Sequence, residues 1–235
     1  MMLKKLLPTS VKLHLKLYLR YTKDLLSGSY FKFAKPHEEV VELPYLIELS
    51  QPIRKSYLYE NKLYNLQLAS QQIASVSVRA GQIFSFWHIL KRPSEKNGYK
   101  KGRNIINNQL TEDVGGGLCQ LSGIIYHLSL MANLTIIERH NHSKDIYTDE
   151  TRFTPLGSDA TVVYGYKDLR IQNNHAFPLR FIFKIEAEKI TAQLYSLKPI
   201  PVQEIQFFKC PSEKGIYVEG KNKEGIIINQ SFYQA

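Results

Sequence analysis

The sequence predicts an α+β fold in which one central helix, carrying Cys119, packs on a mostly antiparallel sheet. Three observations lead to it. The stretch Gly115 to Gly123, which carries Cys119, opens the apolar run Ile124 to Ala132, and the two together have the length of a helix. The chain after Thr135 breaks into short β-branched and aromatic runs bounded by Gly, Pro, Asn or Asp, as strands joined by turns do. Near the start, basic and apolar residues recur at helical spacing over residues 9–26. Strands grouped behind helices, with no internal repeat, define the α+β class.

Taken in order, Thr9 or Ser10 is placed to cap the first helix just after Pro8. Lys12, Lys16, Arg20 and Lys23 share one face of it, and Val11, Leu15, Tyr18, Leu19 and Leu25 occupy others. Such a helix can dock on the domain with its lysines in solvent, or lie on an anionic bilayer surface. Residues 1–40 are therefore read as a basic helix and linker, and 41–235 as one α+β domain. Leu43-Pro44-Tyr45-Leu46 is too interrupted by proline for a central strand. Residues 57–74 have helical spacing, and Ser75 to Val78 alternates as a short strand. Ile83 to Leu90 reads as a strand entering a helix or loop, with Trp87 in the core. The basic stretch Lys91 to Arg103 is turn-rich, and Asn104 to Asn107 is a strand before a hairpin turn at Asn108-Gln109-Leu110. The Cys119 helix ends near Ala132 with Asn133 as its cap. Strands are expected at 135–140, 160–164, 169–174, 178–185, 190–196, 205–210 and 225–229.

With 43% hydrophobic and 22% charged residues over 235 positions, the chain can bury a substantial core. The formal charge of +10 calls for an anionic partner: nucleic acid, lipid or a wall polymer. No RNP-like aromatic run, zinc-finger spacing or helix-turn-helix pattern supports nucleic acid, which is not expected as a partner. No run approaches the roughly 18 apolar residues of a spanning helix. The first ten residues begin like a signal peptide, but Pro8 and the recurring charges interrupt it. The expectation is a cytoplasmic protein, at most peripheral to the inner face of the membrane. Cys119 and Cys210 are too few and too far apart for a disulfide framework, and Cys210 is read as a structural, buried cysteine.

Three consecutive glycines bury nothing and are costly to order, so they belong where the backbone takes unusual dihedrals or lets something approach. Cys119 follows at the first turn of a helix, where unpaired N–H groups and the helix dipole favour a thiolate. The competing reading is a small buried hydrophobe. A nucleophilic thiol needs an imidazole to take its proton and a third group to orient that imidazole. His142 or His140 can be the base, and Asp159 or Asp168 the orienting group. Gly115, Gly116, Gly117, Gln120 and Ser122 are the candidates for the oxyanion and substrate contacts. Helical Cys, then strand-borne His, then Asp is the chain order of papain-like and transglutaminase-like enzymes. Cys119, His140 and His142 also offer three ligands for zinc, but His-x-His alone is a weak pattern, and no metal or cofactor is expected.

Several of these segments resemble the VanW family. They are Gly81-Gln82-Ile83-Phe84-Ser85-Phe86, Gly98-Tyr99, Gly115 to Ser122, Glu138 to Ser143, Gly157 to Val162 and Asp168 to Asn174. They fall in the family's order over residues 75–185. Two positions depart: Ser122-Gly123-Ile124 stands where Ser-Ser-Thr is usual after Cys-Gln-x, and Ser158 where Arg often precedes the aspartate. The second leaves no positive charge beside Asp159 in sequence. The resemblance implies an association with glycopeptide resistance and the cell envelope, and this chain looks like a short form without wall-binding domains. The reading is a thiol-dependent amide hydrolase or transferase acting on a small-molecule or peptide substrate. A second reading, motivated by Lys91, Arg92, Lys96, Lys100, Lys101 and Arg103, is a non-catalytic module binding an anionic wall precursor.

Overall fold

The computed structural model describes residues 8–36, 42–106, 109–145, 152 and 154–235. Its architecture is α+β, with every named strand pairing antiparallel. Helix α1 spans Thr9–Leu26, α2 Tyr59–Ala74, α3 Phe86–Leu90 and α4 Leu118–Met131. The largest sheet runs β1 (Tyr45–Pro52), β9 (Lys189–Ser196), β8 (Leu179–Ile185) and β2 (Ser77–Val78), in that order. A second sheet orders β3 (Ile83–Ser85), β7 (Arg170–Gln172) and β6 (Thr135–Glu138). β4 (Lys101–Ile106) and β5 (Gln109–Val114) form a hairpin. A meander of β10 (Gln206–Ser212), β11 (Gly215–Lys221) and β12 (Ile227–Gln234) follows at the end of the chain.

α4 is apolar on nearly all sides, the pattern of a helix enclosed by protein. It lies against β1 and β9, while α2 lies against β8. Leu121, Ile124, Ile125 and Leu128 of α4 have no exposed surface, and each contributes about 1.5–3 kcal/mol through burial. Its two serines keep such a helix affordable in polar terms: Ser122 Oγ donates to the Ala160 carbonyl at 2.6 Å and Ser129 Oγ to Ile125 at 2.7 Å.

Several expectations are corrected. Neither Thr9 nor Ser10 caps α1; Pro8 occupies the cap position and supplies no side-chain bond. Tyr45–Pro52 is a strand that was not anticipated; it is the edge of its sheet, in keeping with the expectation that proline bars Leu43 to Leu46 from a central strand. Residues 160–164 form no strand beyond a single bridge from Val163 to Lys167. Their polar groups go elsewhere, Thr161 N–H to the His140 carbonyl at 2.7 Å and Ala160 O to Ser122. β11 was not anticipated. Cys210 is exposed on β10, opposite Tyr217, and buries no thiol. The expected hairpin turn includes Asn108, which lies outside the described residues, as does most of the 146–153 loop.

Candidate active site

Cys119 occupies the first turn of α4 behind Gly117, whose φ of 100° is the left-handed conformation that starts the helix. Gly116 crosses the β4 backbone at a distance that excludes any side chain. A Cβ there would meet Gly102 Cα at 2.5 Å and Arg103 N at 2.8 Å. Asn65 of α2, fully buried, ties the crossing down by donating to the Lys100 and Gly116 carbonyls and accepting from Lys100 N–H. Gly115 is buried against Pro93. The triple glycine therefore serves close packing around the helix start.

The facing wall comes from the segment after β6 and from residues 157–162. His142 Nδ1 lies 2.6 Å from Asp159 Oδ2, and the His142 backbone N–H donates to the same oxygen at 2.8 Å. The His142 ring and the Cys119 thiol line the same pocket and each shifts the other's proton affinity. The sulfur lies 3.7 Å from Thr161 Oγ1 and 3.9 Å from the Val162 carbonyl oxygen. α4 comes close to this wall at Gly123, where an added Cβ would sit 3.6 Å from Ala160 N.

Charge follows from this geometry. Burial pushes the Cys119 thiol up, but the His142 hydrogen bond and positive charge outweigh it and bring the thiol below its ordinary value. Burial works against the His142 cation, yet the hydrogen bonds to Asp159 and Cys119 raise it to about 10. Asp159, also opposed by burial, is held at about 2 by His142 and the Arg139 charge. At neutral pH His142 is thus an imidazolium and Asp159 a carboxylate, and the Cys119 thiol is biased towards its thiolate.

Two residues completing this site were not found in the sequence. Arg139 Nη2 donates to Asp159 Oδ1 at 3.0 Å, and its Nε to the Asp159 carbonyl at 2.8 Å. Its guanidinium stacks 4.8 Å over the Tyr126 ring. The positive charge absent at Ser158 is thus supplied from the residue beside His140. Tyr233 of β12 donates its hydroxyl to Asp159 Oδ1 and receives the Gly157 N–H at 3.0 Å. Arg139 had a signal in the run Glu138 to Ser143; Tyr233, distant in the chain, had none.

The other candidates are placed elsewhere. His140 Nε2 lies 3.1 Å from Glu138 Oε1. Asp168 accepts from Ser85 Oγ at 2.6 Å, Trp87 N–H at 3.1 Å and Arg170 Nε at 3.0 Å. Arg170 in turn grips Asp24 with two bonds of 2.6 and 2.8 Å, and Arg20 grips Glu138, so this network holds α1 onto the second sheet. Among the described residues no group of three His, Cys, Asp or Glu could hold a metal. Ser122 Oγ is occupied by Ala160, and Gln120 Nε2 donates to the Pro52 carbonyl at 2.9 Å. The Gln120 oxygen is buried without a partner, and since the Leu118, Gln120 and Leu121 N–H groups already donate to Gly115 and Gly117, the Cys119 N–H is the oxyanion donor left at the α4 start.

Cys119, His142 and Asp159 open onto a pocket of about 290 Å³. Gln51, Lys62, Arg103, Gly117, Gln120 and Tyr233 are among its other lining residues. Of the basic loop residues, Arg103 alone lines it; Lys100 sits over the Tyr64 ring. The remaining cations of the pocket, Arg54, Lys55, Lys62, Lys144 and Arg152, come from segments to which no site was assigned.

The family model described as VanW like protein matches residues 61–195. The Vancomycin B-type resistance protein VanW of Enterococcus faecalis is 32% identical over 139 residues, 59% of this chain and 50% of that protein. The uncharacterized protein YoaR of Bacillus subtilis is 29% identical over 153 residues, 65% of this chain and 49% of that protein. The chain spans about half the length of these curated relatives. No solved structure matches it.

Proposed function

The chain belongs to the VanW family, and from that premise we propose that it is a thiol-dependent hydrolase or transferase acting on an amide or peptide of cell-wall origin. The observation that carries the proposal is a thiol and a His142–Asp159 hydrogen-bonded pair lining one pocket, with the charge of His142 lowering the thiol. The relative named for vancomycin B-type resistance directs the substrate towards wall peptides.

In this reading the Cys119 thiolate attacks the amide carbonyl and a carbon–sulfur bond forms. The Cys119 N–H at the α4 start holds the oxyanion. The carbon–nitrogen bond then breaks as His142 gives its proton to the departing amine, leaving a thioester on Cys119. Water or a second amine, deprotonated by His142, releases the acyl group and restores the thiolate. Asp159 keeps the imidazole oriented and charged, with Arg139 and Tyr233 fixing Asp159. A purely binding module would use the pocket's cations but would have no use for an ion-paired thiol.

Incubating the protein with isolated wall stem peptides tests this. An acyl adduct on Cys119 by intact mass, absent in Cys119→Ala together with peptide turnover, is the expected result. Turnover retained by Cys119→Ala would overturn it.

A further inference from the structure

Most cations of the pocket are already satisfied. Lys55 pairs with Glu188 at 2.7 Å, Arg152 with Asp145 at 2.5 Å, and Lys144 Nζ reaches the Ala235 carbonyl oxygen at 2.6 Å. Lys62 of α2 and Arg103 of β4 make no ion pair among the described residues. Glu112, opposite Arg103 in the hairpin, accepts instead from the Tyr57 hydroxyl at 2.6 Å. Lys62 rests its stem on the glycine loop, where a Cβ on Gly117 would meet Lys62 Cγ at 3.0 Å. Burial and the Arg103 charge pull its amine down to about 8. Two cations near one another with no anion between them are costly until an anion arrives. The same pocket holds two orphaned acceptors: Gln51 Oε1 and Gln120 Oε1 have no partner, in side chains only 3% and 7% exposed. Gln120 is pinned by its bond to Pro52, the residue after Gln51.

We propose that Lys62 and Arg103 bind a carboxylate of the substrate while Gln51 and Gln120 accept its N–H groups. The substrate class is then a peptide with a free carboxylate close to the amide that Cys119 attacks. A phosphate would answer the cations but leave both glutamine oxygens unpaired. The proposal rests on the thiol reading of Cys119 for its chemistry, though its binding test does not. Titration calorimetry with N-acetylglycylglycine and with its C-terminal amide should show the free acid binding at least about tenfold tighter, the worth of one well-placed charge contact. Lys62→Met, which keeps the stem packed on Gly117, and Arg103→Gln should each remove most of that preference. Equal affinities for acid and amide, no binding by either, or an undiminished preference in both variants would overturn the subsite. Iodoacetamide labelling of Cys119 in the same samples reads the thiol separately. A sluggish thiol with a retained acid preference defeats the catalytic reading and leaves the subsite standing.

A second, independent observation concerns α1. Its inner face is occupied: Leu13 and Leu17 pack on Gly165, Arg20 pairs with Glu138 and Asp24 with Arg170. At 100° per residue, Val11, Leu15, Tyr18, Leu19 and Leu26 fall on the opposite side, and they are between 45% and 91% exposed. Lys16 and Lys23, both exposed, border this stripe. Contiguous exposed apolar surface of this kind marks an interaction site. The flanking lysines and the overall charge of +10 complement an anionic surface. We infer that α1 lies on an anionic bilayer through this outer face while its inner face stays docked. Flotation with phosphatidylglycerol vesicles should carry the protein up, and phosphatidylcholine vesicles should not. Leu15→Ser with Tyr18→Ser should abolish flotation, and Lys16→Glu with Lys23→Glu should weaken it at least roughly 30-fold, at about 1 kcal/mol for each of the two membrane-proximal lysines. Failure to float, flotation indifferent to lipid charge, or concentration-dependent dimers in ultracentrifugation that the serine variant dissolves would each overturn it.

Discussion

Replacing Asp159 by Asn removes one charge from the site while keeping its shape. The carboxylate accepts from His142 twice, from Arg139 and from Tyr233. His142 is driven from its ordinary 6.5 to about 10, which at 1.36 kcal/mol per pH unit is ~5 kcal/mol in favour of the imidazolium. The hydrogen bond to Asp159 is the largest single contribution opposing burial, and Cys119 supplies the next two. Assigning about half to Asp159 leaves the imidazolium ~2 kcal/mol poorer in the variant. The balance between the ion pair and the neutral thiol–imidazole pair shifts by that energy, and iodoacetamide alkylation of Cys119 near neutral pH should slow by up to roughly 30-fold, its rate equivalent. Peptide mapping by mass spectrometry reads it, with exposed Cys210 as the internal reference. Arg139, 8% exposed, also loses its ion pair, so stability should fall by on the order of 3 kcal/mol in urea unfolding. A folded Asp159→Asn protein whose Cys119 alkylates within about threefold of the parent, well inside one tenfold step, would refute the coupling.

Three further outcomes follow from the packing and ion pairs. Gly116→Ala should cost ~3 kcal/mol or more in urea unfolding, since backbone atoms block its Cβ, whereas Gly123→Ala, with 3.6 Å of room inside α4, should gain about 1 kcal/mol. Asp159 and Glu138 are each held at about 2, so their stabilisation is complete above the ordinary 3.8 and 4.5 and is lost as pH falls through about 2. His142 acts oppositely: its contribution is complete below 6.5 and lost as pH rises through about 10. Urea midpoints should therefore decline as pH falls below about 4.5, and Glu138→Gln should flatten that decline; on the alkaline side the lowered Cys119 thiol, whose contribution grows as pH rises, offsets the loss from His142. Asp24→Ala, which leaves the Arg170 guanidinium to Asp168 and Glu138 but frees α1, should lower stability by about 1–2 kcal/mol and speed proteolysis at Ser27-Gly28 behind α1.

The core helix and the sheet character were legible because their signals are local. An apolar run behind glycines and a series of β-branched runs need no tertiary information. Pro44 rightly spoke against a central strand at Leu43 to Leu46, but the edge strand Tyr45–Pro52 went unread because a sequence does not reveal an edge position. Residues 160–164 have strand composition, but Ser122 and His140 take their polar groups. At the site, Cys119, His142 and Asp159 carried visible chemistry, and the structure brings them together. Which histidine and which aspartate would meet the thiol was open, since His140 and His142 differ only in whether a neighbouring carboxylate or the sulfur captures the ring. Lys62 and Tyr233 were invisible for a different reason. One is an ordinary helix lysine in sequence and the other a tail tyrosine, and both acquire meaning only from where α2 and β12 end up.

The central claim is that Cys119 rests as a thiolate paired with protonated His142. Ultraviolet titration of thiolate absorbance, as the difference between the parent chain and Cys119→Ser, measures it directly. The account predicts a Cys119 midpoint well below the ~8.5 of a free thiol, moved back towards that value in His142→Ala. A midpoint at or above ~8.5 in the parent, or one indifferent to His142, would contradict it.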